Sequence, residues 1–359
     1  MPQGIQPLSD EKMKNFSLIF QRKSKAWLVL ILSLIIIGTI FFTGNKKIKK
    51  LHQPHSLVTT INDCIELVPE YGPYKEAVIS NSGKYCIGTD FWQKRLYDGA
   101  GHSGPARYRH LIEVRASNVV IDLANHILHS DGNSSGISIN FDDSKKEKGA
   151  AESITIADTI IIRNGVIDLR GLGFALSNLS SWDIDGVEKK VDENLGKFKK
   201  TNIILENLLI KTDNMGILLE GDGNIIRNCV IESGGIVAIA MAGKNGKILN
   251  NKIILTSPRI PGKMKGSELN RIRDLRQLIE ARREVKAAIA LHYASNTVIS
   301  GNLIDVKQKS ANRHAIYLTG SSRNVIIEGN TFTSTQNPVT IVDDSSAEMK
   351  RNIIKQEKQ

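Results

Sequence analysis

The stretch TNIILENLLIKTDNMGILLEGDGNIIRNCVIESGGIVAIAMAG, residues 201–243, repeats two phrases within itself. Branched apolar residues surround Asn207 in IILENLLI and, one repeat later, Asn228 in IIRNCVI. The second phrase appears as Gly216-Ile-Leu-Leu and again as Ala238-Ile-Ala-Met. Self-similarity at a period of about 21 to 23 residues indicates a solenoid in which each repeat is one coil.

The asparagine phrase recurs along most of the chain. Its asparagines are Asn125, Asn164, Asn207, Asn228, Asn251, Asn302, Asn330 and Asn352. An interior amide at a bend can bond the equivalent amide one coil above and below, if parallel coils lie about 4.8 Å apart. We therefore predict one stacked asparagine column.

The second phrase predicts another side of the coil. Strand alternation places Ile217, Ile239, Ile289 and Ile316 inside, with their small predecessors outside. The pattern predicts an all-β parallel β-helix of about eight coils over residues 85–359, preceded at 58–84 by a cap with some helix. A β-sandwich is the alternative, and it would have hairpin turns such as Asn-Gly between the strands.

The chain resembles the right-handed parallel β-helix proteins of the pectin-lyase-like superfamily. The resemblance covers residues 58–354 and rests on Gly83-Lys-Tyr-Cys-Ile-Gly-Thr-Asp90, Asn118-Val-Val-Ile-Asp-Leu-Ala-Asn-His-Ile-Leu128 and the two repeated phrases. It implies a right-handed coil and leaves the chemistry open, since that superfamily includes lyases, hydrolases, epimerases, esterases and non-enzymatic proteins.

Residues 26–45, AWLVLILSLIIIGTIFFTGN, carry no charge and can cross a hydrocarbon layer of about 30 Å. We predict a single-pass anchor in the lipid bilayer, with a cytoplasmic leader at 1–25 and a linker at 46–57. The β-helix is then expected in the periplasm or on the cell exterior. Lys and Arg flank both ends of the anchor, so charge does not decide its orientation.

Most of the formal charge of +11 lies before residue 50, which argues against a nucleic-acid partner.

The cysteines are consistent with a β-helix that lies outside the cytoplasm. A disulfide between Cys64 and Cys86 would suit an oxidising compartment, and two buried thiols are the alternative. Cys229 lies in an apolar run, where a small core residue is expected.

Insertions are expected to wall a groove along the outward face of the second phrase, where resembling enzymes bind polysaccharide. Two follow that phrase, at 141–153 and 178–200, and two precede it, at 257–286 and 305–314.

The insertion at 257–286 is predicted to be a basic helix beside the groove. Its Arg271, Arg273 and Arg276 are candidate substrate-binding residues, because arginine pairs with carboxylates. They favour an anionic polysaccharide as partner. The alternatives are a solvated helix face or a contact with anionic lipid.

Two outward columns are predicted to form the floor of the groove. One is Asn140, Ser177, Glu220, Ala242, His292 and Thr319; the other is Ser138, Ala175, Leu218, Ala240, Ala290 and Tyr317. A uronate lyase or C5-epimerase needs a base, a cation and an acid. His292, Arg313 and Tyr317 are candidates for those roles.

Glu220 completes the candidate catalytic set, and Tyr293 and His314 are candidate substrate-binding neighbours. The alternative is that all of these are ordinary exposed turn residues. A glycoside hydrolase is less favoured, because the groove-facing pair Glu220 and Asp222 shares one strand end and Asp222 suits a turn.

No cofactor or metal site is predicted. Asp213, Asp343 and Asp344 could hold Ca²⁺, but none belongs to a spaced oxygen-ligand loop. The sequence thus favours a membrane-tethered protein that binds or modifies an anionic cell-surface polysaccharide. A non-catalytic binding protein or an envelope assembly scaffold is the alternative.

Overall fold

Parallel strand pairing between successive coils turns the repeated phrases into one core. The computed structural model describes residues 60–61, 63–68, 77–93, 110–131, 135–139, 157–170, 174–178, 199–235, 237–256, 286–307, 313–333 and 338–355. All secondary structure in these residues is β-strand. The predicted anchor at 26–45 and residues 257–285 of the predicted basic helix lie outside them, and Lys286 already begins a strand.

Each coil contributes up to three strand segments, and the first two belong to one large sheet, sheet A. The first segments are β2 (Cys64–Leu67), β4 (Gly83–Ile87), β7 (Val119–Asp122), β10 (Ile160–Leu169), β12 (Ile204–Thr212), β14 (Ile225–Arg227), β17 (Lys247–Leu249), β20 (Val298–Ser300), β23 (Val325–Glu328) and β26 (Ala347–Lys350). The second segments are β5 (Phe91–Gln93), β8 (Ile127–Ser130), β15 (Val230–Ser233), β18 (Lys252–Leu255), β21 (Leu303–Val306), β24 (Thr331–Thr333) and β27 (Ile353–Lys355), while β10 and β12 run through both positions.

The third segments form a separate nine-stranded sheet, sheet B. They are β3 (Ala77–Ile79), β6 (His110–Val114), β9 (Ser135–Ile139), β11 (Leu176–Ser177), β13 (Ile217–Glu220), β16 (Val237–Ala242), β19 (Lys286–His292), β22 (Arg313–Thr319) and β25 (Val339–Ile341). Their pairing is parallel throughout. The predicted parallel solenoid is confirmed, and the β-sandwich is excluded.

Coil pairing begins earlier than the sequence pattern indicates. β2 pairs in parallel with β4, and β3 pairs in parallel with β6, so the solenoid starts at Cys64 and not at residue 85. β1 (Thr60–Ile61) turns back antiparallel on β2. The described part of the predicted cap is therefore strand. A disulfide between Cys64 and Cys86 joins the first two coils, and Cys229 is a buried free thiol.

The isoleucines of the second phrase form a core column. Ile217, Ile239, Ile289 and Ile316 stack in register and are fully buried, as alternation predicts. Each coil thus buries one large branched side chain against the same position of the next coil, and apolar burial of this kind is the main favourable term in folding.

The expectation that their small predecessors point outward is wrong. Ala238, Ala288 and Ala315 are fully buried within the main core. A Cβ placed on Gly216 would lie 2.2 Å from the carbonyl oxygen of Ala238. The position is restricted to small residues because the backbone of the next coil passes so close to it.

The predicted asparagine column is in fact two columns. In eight coils, the bend between the first and second segments holds a residue in the left-handed region at the same position, with φ from +52° to +68°. These residues are Asn125, Asn164, Asn207, Asn228, Asn250, Gly301, Gly329 and Arg351. Glycine and asparagine adopt this conformation more readily than other residues. The side chains of Asn207 and Asn228 are exposed, so this column is an outer one.

The interior asparagine column lies one residue further along the chain. Asn251, Asn302, Asn330 and Asn352 stack there, with amide nitrogen to amide oxygen distances of 3.0, 2.9 and 3.1 Å. In the coil before them, Cys229 occupies this position, because Val230 pairs with Lys252. Aligning Asn228 with Asn251 is thus an error of one residue, and such a shift exchanges outside for inside.

Replacing Asn302 by Ala should lower the free energy of unfolding by about 2 to 4 kcal/mol, since Asn251 loses the buried acceptor of two hydrogen bonds. The measurement is loss of far-ultraviolet circular dichroism in urea, on the full chain in mild detergent. The matched control is Asn228→Gly, which is expected to cost less than about 0.5 kcal/mol because the site is exposed and its φ suits glycine. If both variants lowered the free energy of unfolding equally, the assignment of an inner and an outer column would be contradicted.

Candidate functional site

Three columns of side chains point away from the core on sheet B, and we call them together the outer face of sheet B. Strand register and side-chain packing define them. The first is His110, Ser135, Phe174, Met215, Val237, Ala287 and His314; the second is Val78, Glu113, Ser138, Ser177, Leu218, Ala240, Ala290, Tyr317 and Thr340; the third is Glu220, Ala242, His292 and Thr319.

Two residues depart from the predicted columns. Ser177 pairs with Leu218 and therefore belongs to the second column, two positions away from the level of Glu220. Ala175 is fully buried in the main core and does not line the face. The error arises because β11 has two residues only, so the sequence offers too little alternation to place its register. Asn140 lies outside the described residues.

The middle of the outer face is apolar and buried. Met215, Leu218, Val237 and Ala240 form a hydrophobic cluster separate from the main core, and Leu218 is 0% exposed. The floor at β13 and β16 is therefore not an open row of small residues. Partly exposed polar and aromatic side chains of the face lie on both sides of this cluster. They are on β19, β22 and β25, with Glu220 at the end of β13, and at His110 on β6 and Phe174 before β11.

His292 lies at the end of β19 in a compact arrangement. Its ring packs edge-on against Tyr293, with centroids 4.3 Å apart, and a Cβ on Gly320 would lie 2.5 Å from its Nδ1. Burial lowers the pKa of His292 below its usual value, and the nearby Asp343 carboxylate opposes part of that shift. The neutral imidazole is therefore favoured at neutral pH.

Asp343 is held in place beside this histidine. Thr319 Oγ1 donates to Asp343 Oδ2 at 2.8 Å, and the Gly320 amide donates to the same oxygen at 3.2 Å. These two hydrogen bonds lower the pKa of Asp343, so its charge persists next to His292.

A second imidazole–phenol pair lies on the next strand. The rings of His314 and Tyr317 have centroids 5.4 Å apart, and His314 Nδ1 is hydrogen-bonded to Thr340 Oγ1 at 2.7 Å. Burial lowers the pKa of His314 as well. Since Ala290 pairs with Tyr317, this pair lies one coil above the strand of His292.

Glu220 shares the third column with His292 but lies two coils below it, with Ala242 between them. Two coil steps correspond to about 9.6 Å. Burial raises the pKa of Glu220, and the Asn178 side chain bonds its backbone amide and carbonyl. Glu220 is thus firmly placed but does not contact the histidine pairs.

Arg313 is not the exposed cation that the sequence predicts. It is 6% exposed at the start of β22, and its Nη1 donates to the Thr256 carbonyl oxygen at 3.5 Å. Its position favours a structural contact over substrate binding. Arg271, Arg273 and Arg276 lie outside the described residues.

A family model described as a right-handed beta helix region matches residues 197–359. Residues 197–359 are thus similar to right-handed β-helix proteins, and the parallel strand pairing shows a β-helix in the described residues. The match is consistent with the resemblance to the pectin-lyase-like superfamily, and it defines a fold and no particular reaction. No curated protein and no solved structure matches the chain.

The part of the chain that the structure describes contains no group of three or more His, Cys, Asp or Glu side chains arranged to hold a metal ion. Of the three candidate Ca²⁺ ligands, Asp343 bonds Thr319 and Gly320, Asp344 contacts Arg323, and Asp213 is buried. The described residues also include no helix of the length and hydropathy that a membrane crossing needs.

The β-helix also carries a polar cluster on sheet A that sequence reasoning missed. His129 lies between two carboxylates, with Nε2 at 2.9 Å from Asp131 and Nδ1 at 3.3 Å from Asp168, and its ring is 4.6 Å from that of Trp92. Trp92, His129 and Asp168 come from three successive coils with insertions between them. No local motif links such residues, so only the coil register could have found them.

Replacing Asp343 by Asn should lower the pKa of His292 further, because the carboxylate that raises it is lost while burial remains. The proton shift of the His292 ring, followed by NMR from pH 4 to 8 with labelled histidine, measures this change. The control is Asp344→Asn, which removes the neighbouring carboxylate that contacts Arg323 at 3.3 Å. A His292 titration unchanged in Asp343→Asn would contradict the described contact.

Proposed function

We propose that this β-helix protein binds or modifies an anionic polysaccharide outside the cytoplasm, held to the bilayer by residues 26–45. The observation that carries the proposal is the pair of imidazole–phenol contacts on consecutive strands of one face, His292 with Tyr293 and His314 with Tyr317. All four side chains are partly exposed. A polymer lying along the coils could contact both pairs, because adjacent coils are about 4.8 Å apart.

The chemistry of this face favours a uronate lyase or C5-epimerase over a hydrolase. Both reactions begin when a base removes the proton next to the sugar carboxylate. His292 is suited to that role because its lowered pKa leaves a ring nitrogen free to accept a proton at neutral pH. Tyr317, one coil above the strand of His292, supplies a phenol that could protonate a leaving oxygen. Glu220, two coils away, is left with a binding role.

Binding without chemistry is the second candidate, and the burial of Arg313 favours it. A lyase or epimerase needs a cation to neutralise the substrate carboxylate, and Arg313 is turned to the Thr256 carbonyl. The basic segment with Arg271, Arg273 and Arg276 would then retain the polymer by charge.

The test is incubation of the full chain with polygalacturonate, alginate and heparin, followed by the ultraviolet absorbance of unsaturated uronate and by exchange of the C5 proton in deuterated water. We expect turnover of one polymer to fall about 100-fold or more in His292→Ala, as is usual for loss of a general base. His126→Ala on sheet A is the matched histidine control and should keep full activity. Retention of a polymer without turnover, weakened by Tyr317→Ala, would support the binding candidate. If the protein neither retained nor modified any of the three polysaccharides, the proposal would be overturned.

The location can be tested through the cysteines. Because Cys64 and Cys86 form a disulfide, protein trapped from cells by denaturing alkylation should take up one alkyl group, at Cys229, and three after reduction. Mass spectrometry of the intact chain gives the count. Three alkyl groups before reduction would place the domain in a reducing compartment and contradict this part of the proposal.

A further inference from the structure

The last described coil exposes side chains that occupy core positions. In strand register, Ile341 follows Leu318, Met349 follows Ile327, and Ile354 follows Phe332. The three earlier residues are fully buried, whereas Ile341, Met349 and Ile354 are 42%, 48% and 53% exposed. Each comes from a different segment of the coil, so this end of the solenoid presents an apolar surface.

The strands that carry these residues are also open edges. β25, β26 and β27 pair with β22, β23 and β24 on one side, and no described strand pairs with them on the other. At the opposite end of the solenoid, β1 pairs antiparallel with β2. An open edge presents backbone N–H and C=O groups that readily pair with another strand.

The charges on β26 indicate which strand could pair with this open edge. Glu348 and Lys350 point outward on either side of Met349, which occupies the inward position. If two copies of β26 pair antiparallel about a two-fold axis at Met349, Glu348 of each copy lies opposite Lys350 of the other. Opposite charges facing each other across antiparallel strands are stabilising. The edge is therefore complementary to itself, as a two-fold interface requires.

We infer that two copies of this chain join end to end through their last coils, with β26 paired antiparallel to itself. The pairing extends sheet A across the two-fold axis and covers Met349, while Ile341 and Ile354 are buried at the same interface. Lys350 Nζ and Glu348 Oε2 are 2.8 Å apart within one copy, so both side chains already lie at the edge and exchange partners on association. Because a two-fold contact uses the same surface of both copies, it closes as a dimer and does not propagate into a fibre.

The first experiment places a cysteine on the axis. Met349→Cys in the full chain, mildly oxidised in membranes, should give a reducible dimer on a non-reducing gel. Ile353→Cys is the matched control, because Ile353 is 54% exposed on the same coil but lies in the outward column of β27, away from the axis. Native Cys64 and Cys86 are already bonded, and Cys229 is buried. Equal cross-linking of the two variants would indicate random collision and overturn the inference.

The second experiment reverses the charges. Glu348→Lys places like charges opposite each other twice per interface, and we expect the dissociation constant of the dimer to rise about tenfold. Glu348→Lys combined with Lys350→Glu restores the opposite pairs and should restore dimerisation. Both side chains are exposed, so the fold should survive, and the urea midpoint checks this. Sedimentation velocity of the detergent-solubilised chain supplies the constants.

Each outcome decides the inference. A wild-type chain that is monomeric at all accessible concentrations overturns it, because the charged edge then acts against pairing. A dimer that neither charge variant affects also overturns the β26 pairing. The inference is supported if the dimer weakens in Glu348→Lys and recovers in the double variant, and if Met349→Cys cross-links while Ile353→Cys does not.

Discussion

Parallel hydrogen bonding between coils keeps equivalent residues one above another, and the rest of the molecule depends on that register. Ile217, Ile239, Ile289 and Ile316 can form one core column only because their backbones pair position by position. The left-handed bend between the first two segments turns the chain at the same place in eight coils. Buried amides can then satisfy one another, as Asn251, Asn302, Asn330 and Asn352 do.

The same register decides what the surface can do. A residue becomes part of a candidate site when its coil neighbours point the same way and leave it exposed. His292, His314 and Tyr317 meet that condition on β19 and β22, whereas Leu218 is equivalent in direction but buried. The two histidine–tyrosine contacts of the outer face of sheet B therefore both lie on its C-terminal coils. Trp92, His129 and Asp168 are brought together by the same register on sheet A, although His129 is buried there.

Part of the candidate site was predictable because strand alternation is local. The outward direction of Glu220, His292 and Tyr317 follows from counting along one strand, and the structure agrees. The burial of Arg313 was not predictable, since it arises from packing between coils, where its Nη1 donates to the Thr256 carbonyl oxygen. The contact of Asp343 with Thr319 likewise joins residues from two coils.

The sequence by itself determined the repeat, the parallel solenoid, the core isoleucines and the pairing of Cys64 with Cys86 as a hypothesis. These depend on residue period and on which side chains prefer burial, and both are properties of short segments. Only the tertiary structure decided that Asn228 faces outward while Asn251 faces inward, that the alanines before the isoleucines are buried, and that the last coil leaves Met349 uncovered. The first depends on a shift of one residue between coils, and the second on how closely two backbones approach. The third depends on which neighbouring strands cover a core position, and none of these quantities is recorded along a single strand.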